Sequence, residues 1–213
     1  MVYKIPTLEY EWLALRNGYK VIAGIDEVGR GPIAGPVVSG ALVFDDGIDC
    51  DWVSDIRDSK QLSDKQRRRI LDGINLEGVK HGLGIVSASD IDKMGIVPAT
   101  KLSMMRAVEN LKVHPDFLLI DAVDLEEIDI EHTSIIKGDQ KCLSIAAASI
   151  VAKVYRDNLM FVADEEYPGY GFAQHKGYPT RFHIQKLIEL GPSPIHRISF
   201  APVRKYIGSN RIQ

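Results

Sequence analysis

Residues 20–28 and 37–44 are two mostly apolar runs joined by a short stretch rich in Gly and Pro. Each has the length of a strand, and so short a connection predicts an antiparallel pair. Ser63-Asp64-Lys65-Gln66 has the form of a capping box and predicts a helix to about Ile74. His81 to Ser87 reads as a third strand. From Pro98 to about Lys112, Leu102, Met105, Val108 and Leu111 recur at helical spacing. Phe117 to Val123 is apolar except for Asp121, the pattern of a buried parallel strand, and His132 to Lys137 reads as a fifth strand. Ser144 to about Met160 is apolar on most sides in its first half and predicts a core helix. Thr180 caps a last helix that stops at Gly191-Pro192. A meander followed by interleaved helices and strands predicts an α/β fold on a mixed sheet of five strands.

Composition narrows the class. Hydrophobic residues are 45 % of the 213, enough for a sizeable core and against global disorder. No leader-like N-terminal pattern and no apolar run near 18 residues occur, so a cytoplasmic protein that does not enter the membrane is expected. Cys50 and Cys142 sit in no ligand-like spacing, which predicts reduced thiols and no structural zinc. The net charge of −3 argues against a nucleic-acid partner until its distribution is considered. Residues 1–136 carry 15 Lys and Arg against 23 Asp and Glu, a balance of −8; residues 137–213 carry 11 against 6, a balance of +5. A basic C-terminal third is compatible with a phosphate-backbone contact.

The candidate chemistry lies in acids placed where a core pattern expects none. Asp26 and Glu27 end the first strand, Asp121 ends the fourth, and Asp139 follows the fifth, near the start of the long helix, where the dipole favours an anion. If strands one and four are neighbours, Asp26 and Asp121 converge. Their repulsion is relieved by hard divalent cations, and two Mg²⁺ or Mn²⁺ ions roughly 4 Å apart suit phosphodiester hydrolysis. The alternative is that each acid pairs with a cation or faces solvent. The run Asp124, Glu126, Glu127, Asp129, Glu131 reads as a solvated loop.

Gly29-Arg30-Gly31 follows the first acids. A dinucleotide fingerprint would need a helix next, and Pro32, Pro36 and another strand follow instead. The glycines would let the backbone approach a ligand, with Arg30 on a phosphate; a plain tight turn would not need the arginine. Residues 170–180, Tyr-Gly-Phe-Ala-Gln-His-Lys-Gly-Tyr-Pro-Thr, mix aromatics, a lysine and glycines before a helix, which suits stacking on a sugar or base and contacting phosphate. Lys60, in Asp58-Ser59-Lys60, is a further phosphate candidate. His81, His114, His132, His183 and His196 have no ligand-like spacing and are read as structural.

Taken in order, Gly24 to Pro32, Asp58-Ser59-Lys60, Leu119-Ile120-Asp121, Lys137-Gly138-Asp139, Ala146 to Lys153 and Tyr170 to Thr180 resemble ribonuclease HII, the type 2 ribonuclease H of bacteria. The resemblance runs from about residue 20 to about residue 204 and leaves residues 1–18 and 206–213 unassigned. It implies one ribonuclease H-like catalytic domain, with its core in 18–206 and residues 142–206 mostly helical. It further implies cleavage of RNA in RNA–DNA hybrids, and incision 5′ of a ribonucleotide embedded in duplex DNA, leaving 3′-hydroxyl and 5′-phosphate ends. Asp26, Glu27, Asp121 and Asp139 would be the catalytic, metal-holding set, Gly29, Arg30 and Gly31 would recognise the ribonucleotide, and Tyr178 would stack on the adjacent sugar. A monomer is expected. A junction resolvase would have no use for a turn and tyrosine that sense a 2′-hydroxyl, and a non-catalytic hybrid-binding module would not need four converging acids.

Overall fold

The computed structural model describes residues 5–44 and 50–207. Helix α1 (Glu9–Arg16) leads into β1 (Ile22–Val28) and β2 (Val37–Val43), then α2 (Asp64–Leu76) and β3 (Lys80–Val86). Helices α3 (Ala88–Met94) and α4 (Ile96–Glu109) precede β4 (Phe117–Asp121) and β5 (His132–Ile135). The remainder is helical: α5 (Leu143–Glu166), α6 (Phe172–His175), α7 (Arg181–Leu190) and α8 (Ala201–Ile207). Among the described residues no helix is long and apolar enough to cross a membrane.

The five strands form one mixed sheet in the order β3-β2-β1-β4-β5. β1 pairs antiparallel with β2 and parallel with β4; β2–β3 is antiparallel and β4–β5 parallel. The expected elements are thus present, with edges moved by a few residues. Four helices, α1, α3, α6 and α8, had no counterpart among the elements expected from the sequence. α3 is a single short segment with a Ser87 cap, and α1 and α8 lie partly or wholly in segments without assignment. The capping box of α2 forms as expected, Ser63 and Gln66 satisfying each other's backbone N–H groups.

Helices cover both faces of the sheet, and glycines let them come close. A Cβ on Gly24 would stand 2.3 Å from the Ser144 carbonyl carbon, and one on Gly40 would stand 2.4 Å from Ala148 O, both on α5. On the other face, Gly84 and Gly82 admit Ser103 and Ala107 of α4 in the same way. Ala23, Ile25, Ala41, Leu118 and Ile120 fill the α4 side, while Ile22, Leu119 and Ile145 pack on the α5 side.

A second packing centre holds α6 and α7 to the turn after β1. Tyr170 and Phe172 are buried in it, with their rings stacked 5.1 Å apart and the Tyr170 hydroxyl donating to Gly191 O. These aromatics are therefore core, which corrects the expectation that the 170–180 segment as a whole offers stacking surface; Tyr178, 44 % exposed, remains. His175, His183 and His196 are buried there too. Desolvation lowers the His183 and His196 imidazoles to about 4, each helped by a neighbouring ring. The sequence spacing of these histidines gave no sign that they meet.

Both rings are neutral when folded, whereas an unfolded chain protonates them below about 6.5. The unfolded state therefore binds more protons between pH 6.5 and 4, and stability falls as pH drops through that window, by up to about 3 kcal/mol per ring. The check is thermal denaturation of wild type beside His196→Gln from pH 7 to pH 4. The wild type's advantage in Tm should shrink steadily on acidification.

Candidate active site

Strand register brings the first two acids together. Ile25 lies opposite Ile120 across the parallel β1–β4 pair, so Asp26 and Asp121 occupy the next level on neighbouring strands. Alternation turns both toward the α5 face, with Gly24 and Leu119. β5 then leads through Lys137, whose φ is 57°, into a 3₁₀ turn, Gly138–Gln140, that carries Asp139. Gly138 N donates to Asp121 Oδ1 at 2.6 Å and ties this turn to the end of β4.

The helix dipole argument for Asp139 needs correction. The anion at the start of α5 is Glu11 of α1, whose Oε1 accepts from Ser144 N at 2.8 Å and from the Cys142 thiol at 3.1 Å. Asp139 is held on the turn before the helix, and the N-terminal amide is already satisfied.

Electrostatics shows that the four acids share one field. Asp26 is pushed well above the usual carboxylate range by burial, then by the charges of Glu27 and Asp121. Glu27 is pushed up to about 7, again by burial first, against the pull of Arg30, whose Nη1 stands 3.6 Å from Glu27 Oε1. Asp121 and Asp139 are raised as well, with burial the leading cause and Asp58 adding repulsion at both. Burial pulls the Lys60 ammonium down, but Asp139, Asp58, Asp26 and Asp121 outweigh it and raise it.

Hard carboxylate oxygens and excess negative charge are what a divalent cation such as Mg²⁺ or Mn²⁺ requires. Glu27 Oε2 is buried and has no hydrogen-bond partner, a free acceptor of the kind a cation would satisfy. Among the described residues no group of three or more His, Cys, Asp or Glu side chains is placed to hold a metal ion as it stands.

A pocket of about 190 Å³ opens beside them. Asp26, Glu27, Gly29, Arg30, Gly31, Lys60 and Tyr178 all line it, whereas Asp121 and Asp139 stand behind it and are not part of its lining. Gly31 faces Tyr178: a Cβ built on Gly31 would lie 3.8 Å from Tyr178 Cε1, with nothing else within 4 Å. Gly29 has a φ of 100° and backs onto the Arg156 side chain, so a side chain there would be both strained and crowded.

Ser59, Ser149 and Lys153 also line the pocket and were not named as site residues from the sequence. Ser59 and Ser149 hydroxyls meet at 3.0 Å, and Ser149 also bonds Asp26. Lys153 donates to Asp157 at 2.7 Å. The available signal was their i, i+4 spacing on one face of α5, a polar pair within an Ala-rich run.

A family model described as Ribonuclease HII matches residues 23–203. Ribonuclease HII of Acetivibrio thermocellus is 50 % identical over 191 residues, which is 90 % of this chain and 73 % of that protein. Ribonuclease HII of Dehalococcoides mccartyi is 48 % identical over 202 residues, 95 % of each. The crystal structure of ribonuclease H2 from Pyrococcus horikoshii superposes with a TM-score of 0.75 at 26 % identity, over 91 % of this chain and all of that one.

Crowded carboxylates without a cation cost stability. At a free Mg²⁺ or Mn²⁺ concentration a hundredfold above its Kd, the folded state should gain about 2.7 kcal/mol, which raises Tm by roughly 5–10 °C for a chain of this size. Asp26→Asn removes one buried charge at little change in volume. It should raise the metal-free Tm, by about 1 kcal/mol in stability, and shrink the shift on adding metal. Differential scanning calorimetry with and without chelator reads both effects.

Proposed function

The chain belongs to the ribonuclease HII family and is a metal-dependent ribonuclease H that cleaves the RNA of RNA–DNA hybrids; from that premise we propose that Asp26, Glu27, Asp121 and Asp139 hold two divalent ions, Mg²⁺ or Mn²⁺. The proposal extends to the substrate: the chain incises 5′ of a ribonucleotide, a single one in duplex DNA included, and leaves 3′-hydroxyl and 5′-phosphate ends. The observation that carries it is the adjacency of two features in one pocket, Asp26 and Glu27 with the latter's unpartnered oxygen and the slot between Gly31 and Tyr178.

When bound, the ions neutralise the acids and stabilise the charge that develops on the phosphate oxygens. The chain's own groups do the rest. Gly29-Arg30-Gly31 offers backbone N–H and C=O groups to a 2′-hydroxyl, the one group that distinguishes RNA from DNA at a site and one that both donates and accepts. Tyr178 presents a flat face to the neighbouring sugar. The Arg30 side chain, 45 % exposed, and Lys60 stand where phosphates would approach. No covalent intermediate is required. The Ser193 hydroxyl does touch His196 Nδ1 at 2.8 Å, but both residues are buried outside the pocket and cannot reach a substrate.

The decisive experiment incubates the protein with duplex DNA carrying one ribonucleotide, with and without Mg²⁺ or Mn²⁺, and maps the cut. A metal-dependent break on the 5′ side of the ribonucleotide is expected; cleavage elsewhere, or none, sinks the substrate assignment. Asp26→Asn should lose roughly 10³-fold, the equivalent of several kcal/mol of transition-state stabilisation. Tyr178→Ala should lose roughly tenfold or more, the usual worth of one stacking contact. Gly31→Ala should leave Tm unchanged, because its methyl meets only Tyr178, yet cut activity sharply by filling the slot.

A further inference from the structure

The slot has walls on two separate elements, the turn after β1 and Tyr178 in the segment that leads into α7. One segment, 193–197, in which Ser193, His196 and Arg197 are buried, binds both. Its backbone pairs with the turn: Gly35 N donates to Ile195 O and Arg197 N donates to Ile33 O, each at 2.8 Å. Ile33 N in turn donates to Gly177 O at 2.9 Å, beside Tyr178.

Arg197 is wholly buried and makes no ion pair among the described residues. Its guanidinium instead donates to backbone carbonyls: Nη2 to Gly29 O at 2.6 Å, Nη1 to Arg30 O at 3.0 Å, and Nε and Nη2 to Gly35 O at 3.0 and 2.8 Å. In a trans peptide the C=O and the next N–H point in opposite directions. Fixing the Gly29 and Arg30 carbonyls on Arg197 therefore aims the N–H groups of Arg30 and Gly31 away from it, on the side of the turn that lines the pocket.

His196 acts on the other wall. Its Nδ1 accepts from Ser193 N at 2.9 Å, which places its proton on Nε2. That proton points at His183 Nε2, 3.0 Å away. His183 must then carry its own proton on Nδ1, where it donates to Tyr178 O at 2.9 Å. Every ring nitrogen has one role, and the relay ends on the backbone of the residue that forms the wall.

We propose that His196 and Arg197 together are positioning residues for ribonucleotide recognition: Arg197 sets the peptide planes of the Gly29–Gly31 turn, and His196, through His183, sets Tyr178, so that one dipeptide fixes the width of the slot. The proposal rests on the reading that this turn and Tyr178 contact the ribonucleotide. Neither side chain touches substrate. A displacement of about 1 Å in a reacting arrangement can cost about a hundredfold in rate, so the effect belongs in kcat more than in KM.

The test is steady-state cleavage of duplex DNA with one ribonucleotide, at a temperature where each variant is fully folded by circular dichroism. His196→Leu, which cannot donate to His183, should lower kcat about tenfold or more with little change in KM and with the Mg²⁺-induced shift in Tm retained. His196→Gln keeps an N–H near the same place and should recover most of the loss. If the leucine variant does not fold, His196→Asn takes its place, since it retains an acceptor for Ser193 but falls short of His183. Arg197→Lys keeps the charge and loses the fork, and should fall at least as far.

A double-mutant cycle separates positioning from general damage. In a Tyr178→Ala background, removing the His196 donor should cost nothing further. Independent, multiplying losses overturn the proposal, and so does a folded His196 or Arg197 variant with wild-type kcat. A Tyr178→Ala protein that cuts as well as wild type instead overturns the underlying assignment of the slot, and the positioning role falls with it.

Discussion

Like charges held close in a partly buried cleft are the constraint to which the rest of this molecule answers. Nothing in the immediate packing lets them separate. The parallel pairing of β1 with β4 sets Asp26 level with Asp121, and the Gly138 amide fastens the Asp139 turn to Asp121. Glycines at 24 and 40 bring α5 down onto the sheet, which places Ser149 against Asp26 and closes the floor. Arg30 and Lys60 offset part of the repulsion, but Glu27 still titrates at about 7. Such a site lowers the stability of the metal-free fold, and a rigid sheet with two covering helices is what can tolerate it.

The opposite wall of the pocket solves the inverse problem. Arg156 and Arg197 are buried cations that make no ion pair among the described residues, and they are solvated by peptide oxygens. Arg156 donates to Pro36, Lys176 and Ala34 carbonyls, and Arg197 to those of Gly29, Arg30 and Gly35. Desolvation and the neighbouring guanidinium lower Arg197 to about 9, so it remains charged at neutral pH. Pairing either arginine with an acid would leave the carbonyls free to rotate. Denying them acids makes the backbone itself the counter-charge, and the turn is ordered as a result.

Much of the site could be read from the sequence because the chemistry broke a local rule. An acid at the end of an apolar strand, as at Asp26 or Asp121, contradicts the core pattern and announces itself. The Gly-Arg-Gly turn did so too, because a bare hairpin has no need of Arg30. What stayed hidden depended on tertiary contact alone. Glu11 looks like an ordinary surface acid of a short amphipathic segment, yet it caps α5 from 133 positions away. His183 and His196 lie 13 residues apart, a separation with no helical or ligand meaning, and only the return of the chain after α7 brings them together. Tyr170 and Phe172 resemble Tyr178 in sequence context; burial alone divides core aromatics from the exposed one.

If the slot reads the sugar as proposed, its place against a cluster of acids also has an electrostatic consequence. Phosphates are identical in DNA and RNA, so the acids by themselves cannot distinguish the two, and without cations they repel both. A backbone that does not seat in the slot gains nothing to set against that repulsion and stays displaced from the carboxylates. In the reading proposed above, a ribonucleotide seats through its 2′-hydroxyl at the Gly29–Gly31 turn and through its neighbour's sugar on Tyr178, and this contact energy brings the phosphate to the acids. Specificity is then exercised in the approach of the phosphate, before any bond is broken. On that reading, the gap at Gly31, where a Cβ would stand 3.8 Å from Tyr178 Cε1, sets which backbones come within reach of the acids.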